Sequence, residues 1–275
     1  MRIGSWDGRL GNNLIQVLKG LTVALHHKDA SLSVPPHWYL KDMDVGPGGE
    51  SGIVANSFFD MMYPEFFPEA VTIARSSLPI PERGSHLVMH IRGGDIFRTD
   101  RVNIRYAQPP VGFYLEVAAL LNWTQIIIMA EDNANPVLGR LMQLLPEATF
   151  RVGKPLNEDW RILTSASHIA MSCSSLSMAA AVLSQATIFT CPSDYFEKMG
   201  PWRYSVVQLG MMLDEKKTGY VEGIADHQTI FLHEGSEEVS MENLHSLQLA
   251  KISRKRILRA QRMLLHQSLS LSTLR

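Results

Sequence analysis

From His86 to Thr190, short apolar runs alternate with stretches of helical length and periodicity, and this alternation constrains the fold more than any other feature of the chain. Leu87-Val88-Met89 with Ile91, Gln125 to Ala130, Thr149 to Val152, His168 to Ser172 and Ala186 to Thr190 read as strands. Gly112 to Leu121, Pro136 to Leu145, Asp159 to Ser167 and Leu176 to Ser184 read as the helices between them. Strands buried as continuous apolar runs and joined through helices by short connections imply a parallel sheet with helices on both faces. The expected class is α/β, with a Rossmann-like second half.

The first of these strands runs directly into Arg92-Gly93-Gly94-Asp95. That places an arginine at the carboxyl end of a strand, where open α/β sheets bind their ligands. A guanidinium offers a planar fork of donors suited to a diphosphate, and two glycines let backbone approach the bound group. Arg92 is therefore a candidate ligand for a phosphorylated molecule. Pairing with Asp95 at the end of the strand is the equally weighted alternative.

At the amino terminus, a strand from Met1 to Trp6 passes through Asp7-Gly8-Arg9-Leu10-Gly11-Asn12 into a helix striped by Leu14, Leu18, Leu21 and Leu25. Ala30 to Val34 supplies a second strand, stopped by Pro35-Pro36. A glycine turn opening a helix is either an anion or hydroxyl site or simply a tight turn. GRLGN lacks the spacing of both the dinucleotide fingerprint and the phosphate loop.

Lys and Arg number 26 against 27 Asp and Glu, so no general field attracts nucleic acid or a membrane surface. Two cysteines, Cys173 and Cys191, exclude a disulfide framework or a clustered thiolate zinc site; buried free thiols are expected. No apolar run resembles a signal peptide or a membrane span, and the chain as written is expected in the cytoplasm. Asn122-Trp123-Thr124 and Asp42-Met43-Asp44 match the patterns of a glycosylation acceptor and of a metal-binding pair, and both are read as chance. The aromatic and methionine residues from Phe58 to Phe67 are expected to be packing, and Pro79 to Gly84 a linker. Tyr195 to Met212 is expected as a lid or return crossover and Thr229 to Leu232 as a strand. Met241 to His266 reads as a helix whose basic run, Lys251 to Arg262, is a solvated face.

Four fragments stand in order: GRLGN opening a helix, HIRGGD ending a strand, Glu131-Asp132 after the next strand, and Asp159 followed by Cys173-Ser174-Ser175-Leu176-Ser177. Together they resemble the fucosyltransferase superfamily of α-1,2-, α-1,6- and protein O-fucosyltransferases. Gly8 to Asn12 followed by Val34-Pro35-Pro36-His37-Trp38 is similar to its first motif, and His90-x-Arg92-x-x-Asp95 to its donor-diphosphate signature. Departures are Gly93 where many members have a second arginine, Asn13 where glutamine is common, and the lack of paired tryptophans after Ser177.

The resemblance implies two Rossmann-like domains facing a cleft, the GT-B arrangement: an acceptor-side domain over 1–82, a nucleotide-sugar domain over 83–240 and a helical tail over 241–275. It implies a metal-independent, inverting transferase using GDP-fucose and a glycan acceptor, with no cofactor. Arg92 would hold the diphosphate with support from His90. Asp159 would read the guanine edge, and Ser174, Ser175 and Ser177 would meet phosphate oxygens. Gly11 and Asn12 would approach from the opposite domain. Asp95, Glu131 and Asp132 are the candidates for the base that takes the acceptor proton, with a ribose contact open for the latter two. A different donor sugar, or a non-catalytic nucleotide-sugar or glycan-binding module, are the alternatives.

Overall fold

Strand β3 (Leu87–Ile91) is buried along its whole length and sits third in a six-stranded, entirely parallel sheet. On one side of it lie β5 (Ile126–Ala130) and then β6 (Thr149–Val152); on the other lie β7 (His168–Ala170), β8 (Thr187–Thr190) and β9 (Thr218–Tyr220). The chain therefore builds outward from β3 in one direction, returns, and builds outward in the other. The order reverses between β3 and β7, which is the doubly wound pattern. Helices α3 (Val111–Leu120), α4 (Pro136–Leu144), α5 (Leu156–Ser165) and α6 (Ser175–Leu183) make the crossovers that parallel strands require.

This computed structural model describes residues 1–28, 32–40, 53–54, 63–94, 101–103, 109, 111–172, 174–190, 218–220 and 238–240. Outside them fall Cys173 and Cys191, Asp42-Met43-Asp44, most of the aromatic cluster from Phe58, the candidate base Asp95, and the segments 195–212, 229–232 and 241–266 read above as lid, strand and basic helix. Among the described residues no helix is long and apolar enough to cross a membrane.

Alternate residues of β3 serve two cores, as the pleat requires. Leu87, Met89 and Ile91 pack with Phe113, Tyr114 and Val117 of α3 and Leu138 and Leu141 of α4. Val88 faces the other cluster, with Trp160 and Leu163 of α5 and Met178 to Leu183 of α6. His90 follows in the same alternation, so its imidazole emerges on the α5–α6 side at the end of the strand.

The amino-terminal part joins that second core. Strand β1 (Arg2–Ile3) pairs in parallel with β2 (Ile53–Val54) and is bridged in parallel to Ser33 on its other side. Between them runs α1 (Leu10–His26), whose Leu14, Leu18 and Leu21 are buried as the leucine stripe predicts. The expected strand from Met1 to Trp6 stops early because the loop after it is recruited sideways: Gln16 Nε2 donates to the Ser5 carbonyl at 3.2 Å and Gln16 Oε1 accepts from Asp7 N at 3.0 Å. Of the second expected strand, Ala30 and Ser31 lie outside the described residues, and Ser33 is bridged in parallel to Arg2.

Helix α2 (Phe67–Ser77) was not foreseen in the sequence. Its buried positions are Phe67, Ala70 and Ala74, so two alanines carry the helical spacing. Arg75 near its end reaches the last carbonyls of α6, with Nε donating to Leu183 O at 3.0 Å and an η-nitrogen to Val182 O at 2.7 Å. Burial lowers the pKa of this guanidinium. One hydrophobic cluster thus runs from α1 and α2 through α6 to the sheet. A separate antiparallel pair, β4 (Arg101–Asn103) with β10 (Glu238–Ser240), completes the described strands.

Candidate functional site

The carboxyl ends of β3, β5 and β7 open into a cavity of about 390 Å³, at the side of the sheet where doubly wound folds bind their ligands. Its walls are the glycine loop and first turn of α1 (Gly8 to Asn12), the end of β3 (His90 to Gly93), the end of β5 (Met129 to Glu131), Lys154, Leu156 and Asp159 around the start of α5, and Ser174 to Leu176 at the start of α6. Three helices begin here. Neither α1 nor α5 has a side chain capping its first turn, so backbone N–H groups at both starts remain for a ligand or water. At α6 the Ser174 hydroxyl accepts from Leu176 N at 3.3 Å, a normal serine cap.

The approach of α1 to α6 depends on Gly11. A Cβ at that position would fall inside the backbone of Ser175 and Leu176. Gly8 has φ +69, a left-handed conformation that glycine adopts without strain, and it turns the chain from β1 into α1. Asn13 is buried and donates from Nδ2 to the Asp7 carbonyl at 3.0 Å, bracing the loop.

The Arg92 loop is braced from two directions. Asn135, fully buried, accepts from Val137 N through Oδ1 at 2.9 Å as the cap of α4 and donates through Nδ2 to the Arg92 carbonyl at 2.8 Å. Asp132 accepts from Gly94 N at 3.1 Å and from Ala134 N at 3.1 Å. Gly94 has φ +73, and a Cβ there would collide with the Glu131 carboxylate. Arg92 itself is half-buried and lines the cavity.

His90 is 6% exposed, with Nδ1 2.6 Å from Ser172 Oγ and its carbonyl accepting from the buried Tyr114 hydroxyl at 3.0 Å. Burial, with the neighbouring Arg92 guanidinium, lowers its pKa to about 3. The ring is neutral at ordinary pH. Asp159 is likewise buried, and Arg151 Nε donates to its Oδ1 at 2.9 Å while the same guanidinium pairs with Glu158 at 2.9 Å. Desolvation nevertheless outweighs the Arg151 guanidinium and raises the Asp159 pKa.

Across the mouth, Arg9 from the α1 loop pairs with Glu131 at 2.7 Å, both side chains being well exposed. Arg9, Arg92 and Lys154 stand against Glu131 and Asp159 in the cavity wall. Glu131 is held by Arg9, and Asp159 by Arg151 from outside the lining. The wall is cationic on balance. Such a wall, with neutral donors and unfilled helix starts, suits an anion with several oxygens.

Of the site residues expected from sequence, Gly11, Asn12, His90, Arg92, Glu131, Asp159, Ser174 and Ser175 are brought together around this cavity. Asp132 lies just outside the lining, and its two oxygens serve backbone amides. Ser177 is fully buried and outside the lining, its hydroxyl 3.0 Å from the carbonyls of both Ser172 and Ser174, so it shapes the α6 turn. Asp95 lies outside the described residues. Sequence reasoning missed Lys154, Arg151, Asn135 and Ser172. Only Lys154 carried a local signal, a cation between a strand-ending glycine and a proline at a helix start.

The 34–38 segment forms an aromatic group beside the α1 loop. His37 lies edge-on to Trp6 with centroids 5.3 Å apart and stacks on Trp38 at 5.6 Å. Trp160 Nε1 donates to the Tyr39 hydroxyl at 2.6 Å, tying the segment to α5. Comparison with protein-family models, curated proteins and solved structures finds no match to this chain.

Proposed function

We propose that the chain is a metal-independent, inverting glycosyltransferase of the GT-B type that moves fucose from GDP-fucose to a glycan or glycoconjugate acceptor. The observation that carries this reading is the convergence of His90 and Arg92 with the starts of α1, α5 and α6 on one cationic cavity at the ends of the parallel strands. On this reading residues 1–82 form the acceptor-side domain, 83–240 the nucleotide-sugar domain and 241–275 a helical tail.

The chemistry follows from what the reaction needs. The bond between the sugar C1 and the diphosphate oxygen breaks while the acceptor oxygen bonds to C1 from the opposite face. Negative charge grows on the departing diphosphate, and preorganised donors stabilise it best where water is excluded. Arg92 and Lys154 supply charge, and the Ser174 and Ser175 hydroxyls with the open helix starts supply neutral donors. Asp159 accepts from the guanine N–H edge. Gly11 and Asn12 let the α1 backbone reach the phosphate or sugar. The acceptor proton goes to a carboxylate, for which Glu131 is the described residue in the wall and Asp95 the other candidate.

A second reading keeps the cavity and drops the turnover: a nucleotide-sugar-binding module. It is favoured by one observation, that both carboxylates in the cavity wall already have an oxygen engaged by an arginine before any acceptor arrives. Calorimetric titration with GDP, UDP and ADP, with and without EDTA, followed by GDP-fucose and a glycan acceptor panel, tests both. Selective GDP binding that ignores the chelator, with sugar transfer, is the expected result. Binding without transfer favours the module, and a preference for UDP or a need for metal overturns the donor assignment.

A further inference from the structure

His90 lies in β3 and Ser172 two residues past the end of β7, the two strands that flank the reversal of strand order, and they meet across it with Nδ1 2.6 Å from Oγ. Both side chains are buried, Ser172 to 3% exposure. A serine hydroxyl has one proton to donate, and His90 Nδ1 is the partner the structure offers it. If the ring carried its proton on Nδ1, the hydroxyl would accept and its own O–H would be left in the interior without a bond among the described residues, a condition folded proteins rarely tolerate. If the hydroxyl donates to Nδ1, both groups are satisfied and the ring proton sits on Nε2. His90 lines the cavity, so that proton is available to a ligand there.

We infer that Ser172 is a positioning residue that fixes His90 as its neutral Nε2–H tautomer, making the imidazole a hydrogen-bond donor to an acceptor oxygen in the cavity. For the identity of that oxygen, a phosphate oxygen of a nucleoside diphosphate, the inference rests on the reading proposed above. His90 then adds a directed donor to the site without adding charge, and it is not the group that removes the acceptor proton. The charged groups around it agree with a neutral ring: Arg92 beside it and Lys154 and Arg9 in the same wall disfavour a second proton, while Glu131 and Asp159 are each held by an arginine.

Two measurements on the full chain separate this inference from the nucleotide reading. Long-range proton–nitrogen correlation spectra report the tautomer of each imidazole without any ligand, with His90 assigned by the signals lost in His90→Gln. The expected wild-type spectrum has His90 neutral and protonated on Nε2; Ser172→Ala mixes the tautomers and Ser172→Thr restores the single form. A wild-type ring protonated on Nδ1, or doubly protonated near neutral pH, overturns the inference even if neither serine variant folds. Titration with GDP is then expected to show about tenfold weaker binding for Ser172→Ala and near-wild-type binding for Ser172→Thr. Equal GDP affinity in wild type and Ser172→Ala overturns the positioning role. Absence of GDP binding by wild type with the Nε2–H signature intact overturns the nucleotide reading and upholds the tautomer.

Discussion

Gly11 and Leu176 touch backbone to backbone, the first turn of α1 against the first turn of α6, with no room for a side chain on the glycine. The contact brings two helix starts to one cavity and continues the core from α1 into α6. Gly11→Ala is expected to destabilise the protein by about 1–3 kcal/mol, because backbone must move to admit the methyl group. Gly139 in α4 is the control: a Cβ there meets nothing within 4 Å, and Gly139→Ala is expected to stabilise by about 0.5–1 kcal/mol. Urea denaturation of both variants checks the pair, and equal effects would refute the contact.

Arg92→Lys keeps the charge and removes the fork. The expected outcome is a loss of about 100-fold or more in transfer, with unfolding behaviour unchanged. A fully active lysine variant would take the diphosphate away from Arg92.

Asp159 is buried and paired through one oxygen with Arg151. Removing the partner leaves a carboxylate in a wall that already disfavours its charge, so Arg151→Ala is expected to cost about 3 kcal/mol. The double variant Arg151→Met with Asp159→Leu should recover most of that stability while losing guanine selectivity. Asp159→Asn alone should weaken GDP binding and narrow its advantage over UDP. An unchanged GDP-to-UDP ratio would remove Asp159 from base reading.

Acid should destabilise the fold through two histidines. His90 titrates at about 3 because of burial and then Arg92, and His168 at about 4 because of burial and then Arg83, against an ordinary value of 6.5. Below the ordinary value the unfolded chain binds protons that these folded rings refuse. Stability is therefore full above about pH 6.5 and falls as pH drops toward the folded values, by up to about 1.4 kcal/mol per pH unit for each ring. His168 stacks on Phe189 and meets Trp123 edge-on, so His168→Phe can keep the packing and should flatten the decline between about pH 6.5 and 5. Urea melts across that range measure it; identical slopes in wild type and variant would contradict a neutral, half-buried His168.

The parts legible in the sequence are those whose signal is local. Leu87–Ile91, Ile126–Ala130 and Thr149–Val152 are short apolar strands between helical stretches, and they fall where the alternation puts them. The leucine stripe of α1 needs no partner to be read. Helix α2 escaped because alanine marks its buried face, and Ile53–Val54 and Thr218–Tyr220 are too short to have a period. In the site, Arg92 announces itself beside two glycines. Asn135 and Ser172 do not, because each matters through a bond to a residue tens of positions away. Glu131 and Asp132 are equivalent on paper. Only the fold turns one into the cavity wall and spends the other on backbone amides.

The grip of Arg75 on the last carbonyls of α6 reaches beyond the stability of that helix. An α-helix is polarised end to end, and its negative end ordinarily offsets part of the field that its positive end projects. Here a guanidinium from α2 covers the negative end while the positive end opens on the cavity at Ser174 and Ser175. The nine-residue helix behaves electrically as if it had one pole. A cation set at the far end of α6 thereby raises the attraction of the site for anions without ever touching one.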